Sequence, residues 1–313
     1  MLNLARNRKL YFILSGVLVG LSLLFLLIPP GLRWGIEFTA GSTMTVSFEK
    51  GAEQAQLRAA MEELDHREAV IQKTGKGDFL LRLREIDQEE KARLEAGLKE
   101  RFGELRVLDF YLVSPIVAQE IRRNAAIAVV AAVAGILLYI AWAFRKMPSP
   151  FRWGACAVAA LANDVAIVLG AFAFLGRFFG VQVDALFITA VLAVVGYSVN
   201  NVVVVFDRIR ENWKGQEGVR RAEAPTFEEV VNRSLVETLG RQLNTLITTL
   251  LAIAAVLLLG GVTIRYFMLA LLIGVVVGTY SSLLLASQLL VAWEKATAPQ
   301  AQQRSTPAPP PRR

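Results

Sequence analysis

Six long apolar runs constrain the fold of this chain more than any other feature of its sequence. Each run is about long enough to cross a hydrocarbon layer of about 30 Å as one α-helix. The chain has 313 residues, is 54% hydrophobic and has a mean hydropathy of +0.45, which is too apolar for an ordinary soluble protein. We therefore predict an α-helical membrane protein with a bundle of six transmembrane spans, which lie at about 11–28, 125–144, 153–175, 185–206, 243–259 and 266–292.

The positions of Lys and Arg predict the orientation of the spans. Basic residues are concentrated before the first span, between the second and third, between the fourth and fifth, and after the sixth. The short connections on the other side carry only Arg177 and Arg265. Because cytoplasmic loops are enriched in basic residues, we expect both termini to be cytoplasmic. This topology accounts for the net charge of +7, so no nucleic-acid partner is predicted.

The hydrophilic interval between the first two spans, 29–124, predicts a small extracytoplasmic α+β domain. Its patterning runs strand, helix, strand, strand, helix, strand. This βαββαβ order is that of a ferredoxin-like split βαβ domain. The only histidine, His66, follows the first helix, and we predict that it is a solvated loop residue. The segments lie at 42–49, 53–65, 68–86 (two strands joined at 74–78), 87–103 and 104–115.

The predicted domain organisation therefore has four parts. They are a cytoplasmic N-terminus with the first span (1–28), the extracytoplasmic domain (29–124), the bundle of spans two to six with a cytoplasmic loop at 207–242 (125–292), and a disordered cytoplasmic tail (293–313). The sequence has no Gly-rich phosphate loop, no paired-Cys metal spacing and no Ser/His/Asp arrangement. We therefore predict no metal, no cofactor and no enzymatic activity.

One carboxylic acid lies near the middle of the third span, in LANDVAIVLG (161–170). A charged Asp at the centre of a span costs about 2.5–3.5 kcal/mol on insertion scales, and burial favours the neutral form. Asp164 must therefore be protonated or face a polar, hydrated crevice, and both conditions suit a group that binds and releases protons. The alternative is a purely structural hydrogen bond to a neighbouring helix.

Other polar residues cluster in the spans that could pack beside Asp164. Ser198, Asn200 and Asn201 lie within one turn of the fourth span, and Asp207 and Arg208 follow at its cytoplasmic end. Taken singly, Ser and Thr in a membrane helix usually bond to their own backbone. Taken together with Asp164, they predict a polar pathway between helices, to which the fifth span contributes Arg241, Thr245, Thr248 and Thr249.

Five segments resemble the SecF family, membrane subunits of the bacterial Sec protein-export machinery within the resistance–nodulation–division (RND) superfamily. VVGYSVNNVVVVFDRIREN (194–212) is the most specific of them. In WGIEFTAGS (34–42), which is similar to the family's G-hydrophobic-D-F-x-G-G motif, Glu37 and Ala40 replace the usual Asp and first Gly. The other segments are VSPIVAQEI (113–121), LVETLGRQLNTLITT (235–249) and LIGVVVGTYSSLLLAS (272–287).

The resemblance implies an RND-type bundle that works with a SecD subunit in the bacterial cytoplasmic membrane. It also implies that the complex assists the SecYEG channel and the motor SecA at a late stage of translocation. Protons would be the coupling ion, and the further partners would be the translocating preprotein and the insertase YidC. The implied proton-coupling residues are Asn163, Asp164, Ser198, Asn200 and Asn201, and the implied interface residues are Asp207, Arg208, Arg241, Thr245, Thr248 and Thr249.

Two departures from the family leave alternatives open. Asn163 stands where the family usually has His, and Asn201 where it usually has Asp, so Asp164 is the only acid left at mid-membrane depth. A translocon assembly or scaffolding factor without proton coupling is one alternative, and an RND exporter of small molecules is another. An intramembrane aspartyl protease is excluded, because it needs two membrane aspartates.

Overall fold

The computed structural model describes residues 4, 7–49, 51–73, 77–145, 147, 149–216, 225–261 and 264–297. Part of the predicted turn (74–76 of 74–78), part of the predicted cytoplasmic loop (217–224) and most of the predicted tail (298–313 of 293–313) lie outside these residues. In chain order the elements are α1 (Arg8–Leu27), α2 (Ile36–Thr39), β1 (Gly41–Phe48), α3 (Gln54–Glu63), β2 (Val70–Lys73), β3 (Phe79–Leu83), α4 (Gln88–Phe102), β4 (Leu105–Val113), α5 (Pro115–Ala143), α6 (Pro150–Phe179), α7 (Ala185–Lys214), α8 (Phe227–Leu259), α9 (Arg265–Tyr280), a π-helical turn (Ser281–Ala286) and α10 (Ser287–Thr297).

Six helices of the described chain are long and apolar enough to cross a membrane, as predicted. They are α1, α5, α6, α7, α8 and the continuous helix from Arg265 to Thr297. The chain forms two compact units, a helix bundle (Met1–Gly31, Ala132–Leu175 and Thr189–Arg313) and a sheet unit (Leu32–Ala131 and Gly176–Ile188).

Most of the interval predicted as a loop, 207–242, is helical. Helix α7 continues to Lys214, and α8 begins at Phe227 rather than near 243. At its start the Thr226 hydroxyl accepts from the Glu229 amide, and the Glu229 carboxylate accepts from the Thr226 amide. Charged residues lower the hydropathy of these extensions without breaking the helix, so an apolar run marks only the lipid-facing part of a span.

The sheet unit has the predicted ferredoxin-like topology. Its four strands are all antiparallel in the order β2-β3-β1-β4, so β1 and β2 flank β3 as in a split βαβ fold. Alternate residues of β1, Met44 and Val46, point into a core against Leu57 of α3 and Leu98 of α4. All four are fully buried. Because only one face of each strand and helix packs against this core, apolar residues recur in the sequence with the period of a strand or a helix.

The prediction for His66 is wrong, because its side chain is 3% exposed. The His66 amide donates to the Met61 carbonyl, which folds the turn after α3 back under the start of α4. There His66 Nε2 lies 3.8 Å from Glu90 Oε1. Burial of this residue depends on a second helix that follows it in the sequence, and local pattern cannot show such a contact.

Backbone hydrogen bonds join the segment before β1 to the segment between α6 and α7, and both segments belong to the sheet unit. Trp34 and Val183 form an isolated parallel bridge, and the Gly35 amide donates to the Val183 carbonyl over 2.8 Å. The Glu37 carboxylate accepts from the Ala185 amide at the first turn of α7, where the helix dipole favours an anion. Ala40 has φ +65° and ψ 164°, a conformation that favours glycine.

The helix bundle is packed closely where glycines face other helices. A Cβ atom on Gly274 would lie 2.1 Å from Val194 of α7, and one on Gly278 would lie 2.0 Å from Ser198 Oγ. The backbone of α9 therefore lies close to the side chains of α7, and only glycine, which has no side chain, leaves room at these two positions. After Tyr280 the helix passes through the π-helical turn, which places Ser281 and Ser282 in the bundle interior with no exposed surface.

Candidate functional site

Asp164 lies at the meeting point of three helices in the bundle and is 1% exposed. Ser198 of α7 donates its hydroxyl hydrogen to Asp164 Oδ2 over 2.7 Å. Ser281, the first residue of the π-helical turn, donates to the same oxygen over 2.8 Å. The neighbouring Asn163 amide donates to Oδ1 over 3.3 Å. One carboxyl group thus connects α6, α7 and the last helix.

The donors around Asp164 suit a carboxyl group that changes its protonation state. Hydroxyl groups can rotate, so Ser198 and Ser281 can donate to a carboxylate or accept from a protonated acid. A fixed cation would instead hold the group permanently ionised. The nearest arginines along α7 are engaged elsewhere: Arg208 bonds Glu237 and Arg210 pairs with Asp207.

The predicted proton-coupling residues do not all reach Asp164. Asn163 and Ser198 contact it, as described above. Asn201 is 2% exposed and lies one turn beyond Ser198 on α7, where its carbonyl accepts from Gln242 Nε2 over 3.1 Å. Asn200 lies on the exposed side of α7.

Helix α8 places a buried polar row against α7. Ser234, Thr238 and Gln242 recur every fourth residue, so they lie on one face of the helix, and each is at most 6% exposed. Asn212 of α7 donates to Ser234 Oγ over 2.9 Å. We call these contacts the α7–α8 seam, which comprises Asn201 and Asn212 of α7 with Ser234 and Gln242 of α8. The Thr238 hydroxyl lies in the same row but donates to the Ser234 and Leu235 carbonyls of its own helix.

A charged cluster lies at one end of the seam. Glu237 accepts from Arg208 Nε over 2.7 Å, from Asn212 Nδ2 over 2.7 Å and from Arg233 Nε over 2.9 Å. Arg208 also bonds Glu211 over 2.7 Å. Asp207 pairs with Arg210 at the exposed edge of the same helix turn, and Arg241 is exposed on α8.

The predicted pathway residues of α8 bond to their own helix. Thr245 Oγ1 donates to the Arg241 carbonyl and Thr248 Oγ1 to the Asn244 carbonyl, each over 2.9 Å. Thr248 and Asn244 are exposed and Thr249 is half-buried. The tertiary structure of this chain therefore places these residues on an outer surface, and their role in a pathway stays a prediction for an assembly with another membrane protein.

Sequence reasoning missed Ser281, Gln242, Thr238 and Ser234 as members of the site. The run Thr279-Tyr280-Ser281-Ser282 is polar within an apolar span, which was a usable signal. The spacing of 234, 238 and 242 is a second one, but all three of these positions precede the apolar run that predicts the fifth span.

Comparisons with known proteins identify the family. The family profile described as "Protein export membrane protein SecD/SecF, C-terminal" matches residues 93–296, and the "SecD/SecF GG Motif" matches residues 25–52. The protein translocase subunit SecF of Thermobaculum terrenum is 44% identical over an alignment of 306 positions, which covers 94% of each chain. SecF of Anaerolinea thermophila is 38% identical, again over 94% of each chain.

Solved structures of SecDF are similar to this chain. The crystal structure of SecDF, a translocon-associated membrane protein from Thermus thermophilus, superposes with a TM-score of 0.81 at 35% identity. The match covers 94% of this chain and 39% of that one, so this chain spans about two fifths of SecDF. With family motifs, full-length relatives and fold in agreement, the chain belongs to the SecF family of multi-pass membrane proteins that act in protein export.

Proposed function

We propose that this chain is the SecF subunit of a SecD–SecF complex that uses the proton motive force to assist a late stage of protein translocation. The observation that carries the proposal is the buried Asp164 carboxyl group, which three helices share through Ser198, Ser281 and Asn163. No covalent bond of a substrate changes in this function, and protons are the coupling ion.

The mechanism depends on the number of hydrogen bonds that the Asp164 carboxyl group can accept in each protonation state. An ionised carboxylate accepts from both serine hydroxyls, whereas a protonated carboxyl group donates one hydrogen and accepts fewer. The two protonation states therefore favour different packing of α6, α7 and the π-helical turn. A proton that moves through about 100 mV releases about 2.3 kcal/mol, which is enough to bias a bistable bundle. Each protonation cycle moves the sheet unit and hinders backsliding of the emerging polypeptide.

In this chain the proton-binding role falls to Asp164. The amides Asn163 and Asn201 cannot hold a proton at physiological pH, although they hydrogen-bond the acid or water. Any second titratable group therefore comes from SecD. A relative supports this partnership, because the Thermus thermophilus SecDF matches 84% of this chain with 35% of its own length.

The remaining partners and the orientation follow from the family resemblance and the basic residues. The sheet unit lies outside the cytoplasm, and both termini lie inside, in the bacterial cytoplasmic membrane. The complex acts with SecYEG, SecA and YidC on a translocating preprotein.

The test is the completion of translocation in vesicles that contain the chain with its SecD, SecYEG and SecA. After ATP is removed, a proton gradient should complete translocation for the wild type and fail to do so for Asp164→Asn. Asp109→Asn is the matched control, because Asp109 is an exposed acid of β4 in the sheet unit. Equal responses of wild type and Asp164→Asn to the gradient would contradict the proposal.

A scaffolding role in the translocon is the second candidate function. It is favoured by the two amides, which leave one acid at the site. In that case Asp164→Asn would leave gradient-dependent translocation unchanged, while removal of the whole subunit would still reduce export.

A further inference from the structure

A pocket of about 420 Å³ opens between the end of α5 and one face of α7, within the helix bundle. Tyr139, Trp142 and Arg145 line it from the last turns of α5 and the turn that follows. Asp207 and Arg210 line it from α7, three residues apart and therefore on one face of the helix. We call it the α5–α7 pocket. It is separate from the site around Asp164, which does not line it.

One wall of the α5–α7 pocket is anchored in the apolar core of the bundle. Phe144 is 1% exposed, and its ring stacks on Trp153 with a centroid distance of 5.4 Å. The same ring meets Phe206 edge-on at 5.9 Å. Arg210 Nη1 donates to the Ala143 carbonyl over 3.3 Å, which joins α7 to the end of α5. The pocket is therefore formed by packed residues before any ligand enters.

The pocket carries one positive charge that no acid compensates. Arg210 forms an ion pair with Asp207, so these two charges offset each other. Arg145 is exposed and pairs with no acid in the part of the chain that the structure describes. Its guanidinium carbon lies 5.0 Å from the centre of the Trp142 ring. Stacking on a ring holds the guanidinium plane in place but leaves the N–H groups at its edge free to donate.

The surroundings of Arg145 are those of a membrane–water boundary. Trp142 is 62% exposed and Tyr139 is 48% exposed, and both residue types are enriched at the level of the lipid headgroups. Leu138, one turn before Trp142, is 73% exposed and continues the apolar surface along α5. A free cation therefore lies next to an unoccupied apolar surface. This combination fits a ligand with an anionic head and an apolar chain.

We propose that the α5–α7 pocket binds the headgroup of an anionic phospholipid, whose phosphate accepts from Arg145 and whose acyl chain lies along Leu138 and Trp142. A guanidinium presents parallel N–H groups that match two phosphate oxygens, and basic pockets between membrane helices are suited to such headgroups. A free phosphate ion would leave the exposed surface of α5 unused. A zwitterionic headgroup carries a cation that Arg145 repels. The proposed orientation puts this lipid in the cytoplasmic leaflet, and its binding does not depend on proton coupling.

The test is the quenching of Trp142 fluorescence by lipids that carry bromine on an acyl chain. The complex of the full chain with its SecD is reconstituted in phosphatidylcholine vesicles. An increasing share of the lipid is then replaced by brominated phosphatidylglycerol or by brominated phosphatidylcholine. The chain has five tryptophans, so the signal of Trp142 is the difference between the wild type and Trp142→Phe. Phenylalanine keeps an aromatic ring beneath Arg145.

We expect Trp142 to prefer phosphatidylglycerol over phosphatidylcholine about fivefold, because one basic residue near the surface contributes about that factor to the binding of anionic lipid. Arg145→Gln should abolish the preference, and Arg145→Lys should retain part of it. Arg233→Gln is the matched control, because Arg233 is an exposed arginine of α8 whose charge is paired with Glu237. Equal quenching by both lipids in the wild type, or a preference that survives in Arg145→Gln, overturns the proposal.

Asp207→Asn tests the same charge balance in the opposite direction. Removing the acid frees Arg210 and raises the charge of the pocket by one, so the preference for phosphatidylglycerol should rise about fivefold further. A misfolded variant would lose selectivity rather than gain it. An unchanged or lower preference in Asp207→Asn would show that the charges of the pocket do not select the lipid, which contradicts the proposal.

Two further outcomes would identify a different occupant. If neither brominated lipid quenches Trp142, another protein segment covers the pocket. If inorganic phosphate on both sides of the membrane, at constant ionic strength, removes the preference for phosphatidylglycerol, the pocket binds a free anion. Either result excludes the lipid as the ligand. We expect strong quenching by brominated phosphatidylglycerol that inorganic phosphate does not change.

Discussion

Ser198 of α7 donates its hydroxyl hydrogen to Asp164 Oδ2 of α6 over 2.7 Å, and both side chains are at most 1% exposed. The bond joins two membrane helices through a carboxyl group. Removing the hydroxyl therefore changes the contact between the helices as well as the environment of the acid.

Ser198→Ala should destabilise the bundle by about 1–3 kcal/mol, because it leaves a buried carboxyl oxygen with one donor fewer. Ser287→Ala is the matched control. Ser287 is equally buried, but its hydroxyl bonds only the Leu283 carbonyl of its own helix. Thermal unfolding of the purified complex should show a lower Tm for Ser198→Ala alone, and equal losses would show that Asp164 gains nothing from this donor.

Gly278→Ala should disrupt the same site by steric contact. The new Cβ would lie 2.0 Å from Ser198 Oγ and 3.6 Å from Asp164 Oδ2, so the serine must leave its position. We expect a loss of about 1–3 kcal/mol in stability and a loss of gradient-driven translocation. Gly196→Ala of α7 is the control, because its Cβ meets nothing within 4 Å. If the two variants behave alike, the close approach of α9 and α7 is wrong.

Ala40→Gly should stabilise the chain, because Ala40 has φ +65° in the position where the family motif has a glycine. An L-residue in such a conformation costs about 1–3 kcal/mol. Glycine removes this strain, but its greater freedom in the unfolded chain offsets part of the gain in stability. We expect the free energy of unfolding to rise by about 1 kcal/mol, measured by thermal unfolding. Ala55→Gly in the exposed part of α3 should instead lose about 0.5–1 kcal/mol. A loss at both positions would show that Ala40 is not strained.

Asn244 should contact the partner subunit, because its amide lies on the exposed face of a membrane span. Polar groups of membrane helices are usually paired within the protein rather than exposed to lipid. A photoreactive benzoylphenylalanine at position 244 should cross-link to SecD in the assembled complex. Leu138 of α5, which is 73% exposed, is the apolar control and should give a weaker cross-link. Cross-links to lipid alone at 244 would exclude this face as the interface.

Acid should weaken the hydrogen bond between Arg101 and Glu63 in the sheet unit. The hydrogen bond from Arg101 holds the pKa of Glu63 below its usual value of 4.5. The bond therefore stabilises the fold above pH 4.5, and its contribution is lost as the pH falls through the lowered pKa. Deuterium uptake by α3 should be faster in Glu63→Gln than in the wild type at neutral pH, with a difference that vanishes in acid.

Glu62→Gln, a change of charge at an exposed neighbour on the same helix, is the control for that experiment. We expect the effect of Glu63→Gln on deuterium uptake to be small, because both partners of the bond are exposed at the surface and water screens their interaction. An uptake difference that grows in acid would contradict the sign of the pKa change.

The number of spans and the order of the strands and helices were determined by the sequence itself. Apolar runs and alternating residues such as Met44 and Val46 report local burial, and burial on one face is repeated along each element. Asp164 stood out for the same reason, since a carboxylic acid in an apolar run is costly wherever the helix packs. The family motifs added the assignment to protein export.

Only the tertiary structure decided which polar groups meet. Ser281 reaches Asp164 across 117 positions of sequence, and it is the first residue of a π-helical turn that local sequence does not predict. Thr245 and Thr248 looked equally suitable but bond to their own helix on an exposed face. Helix periodicity defines the faces of each helix, yet the rotation and contact of one helix against another depend on close packing at residues such as Gly278, and that information is not local in the sequence.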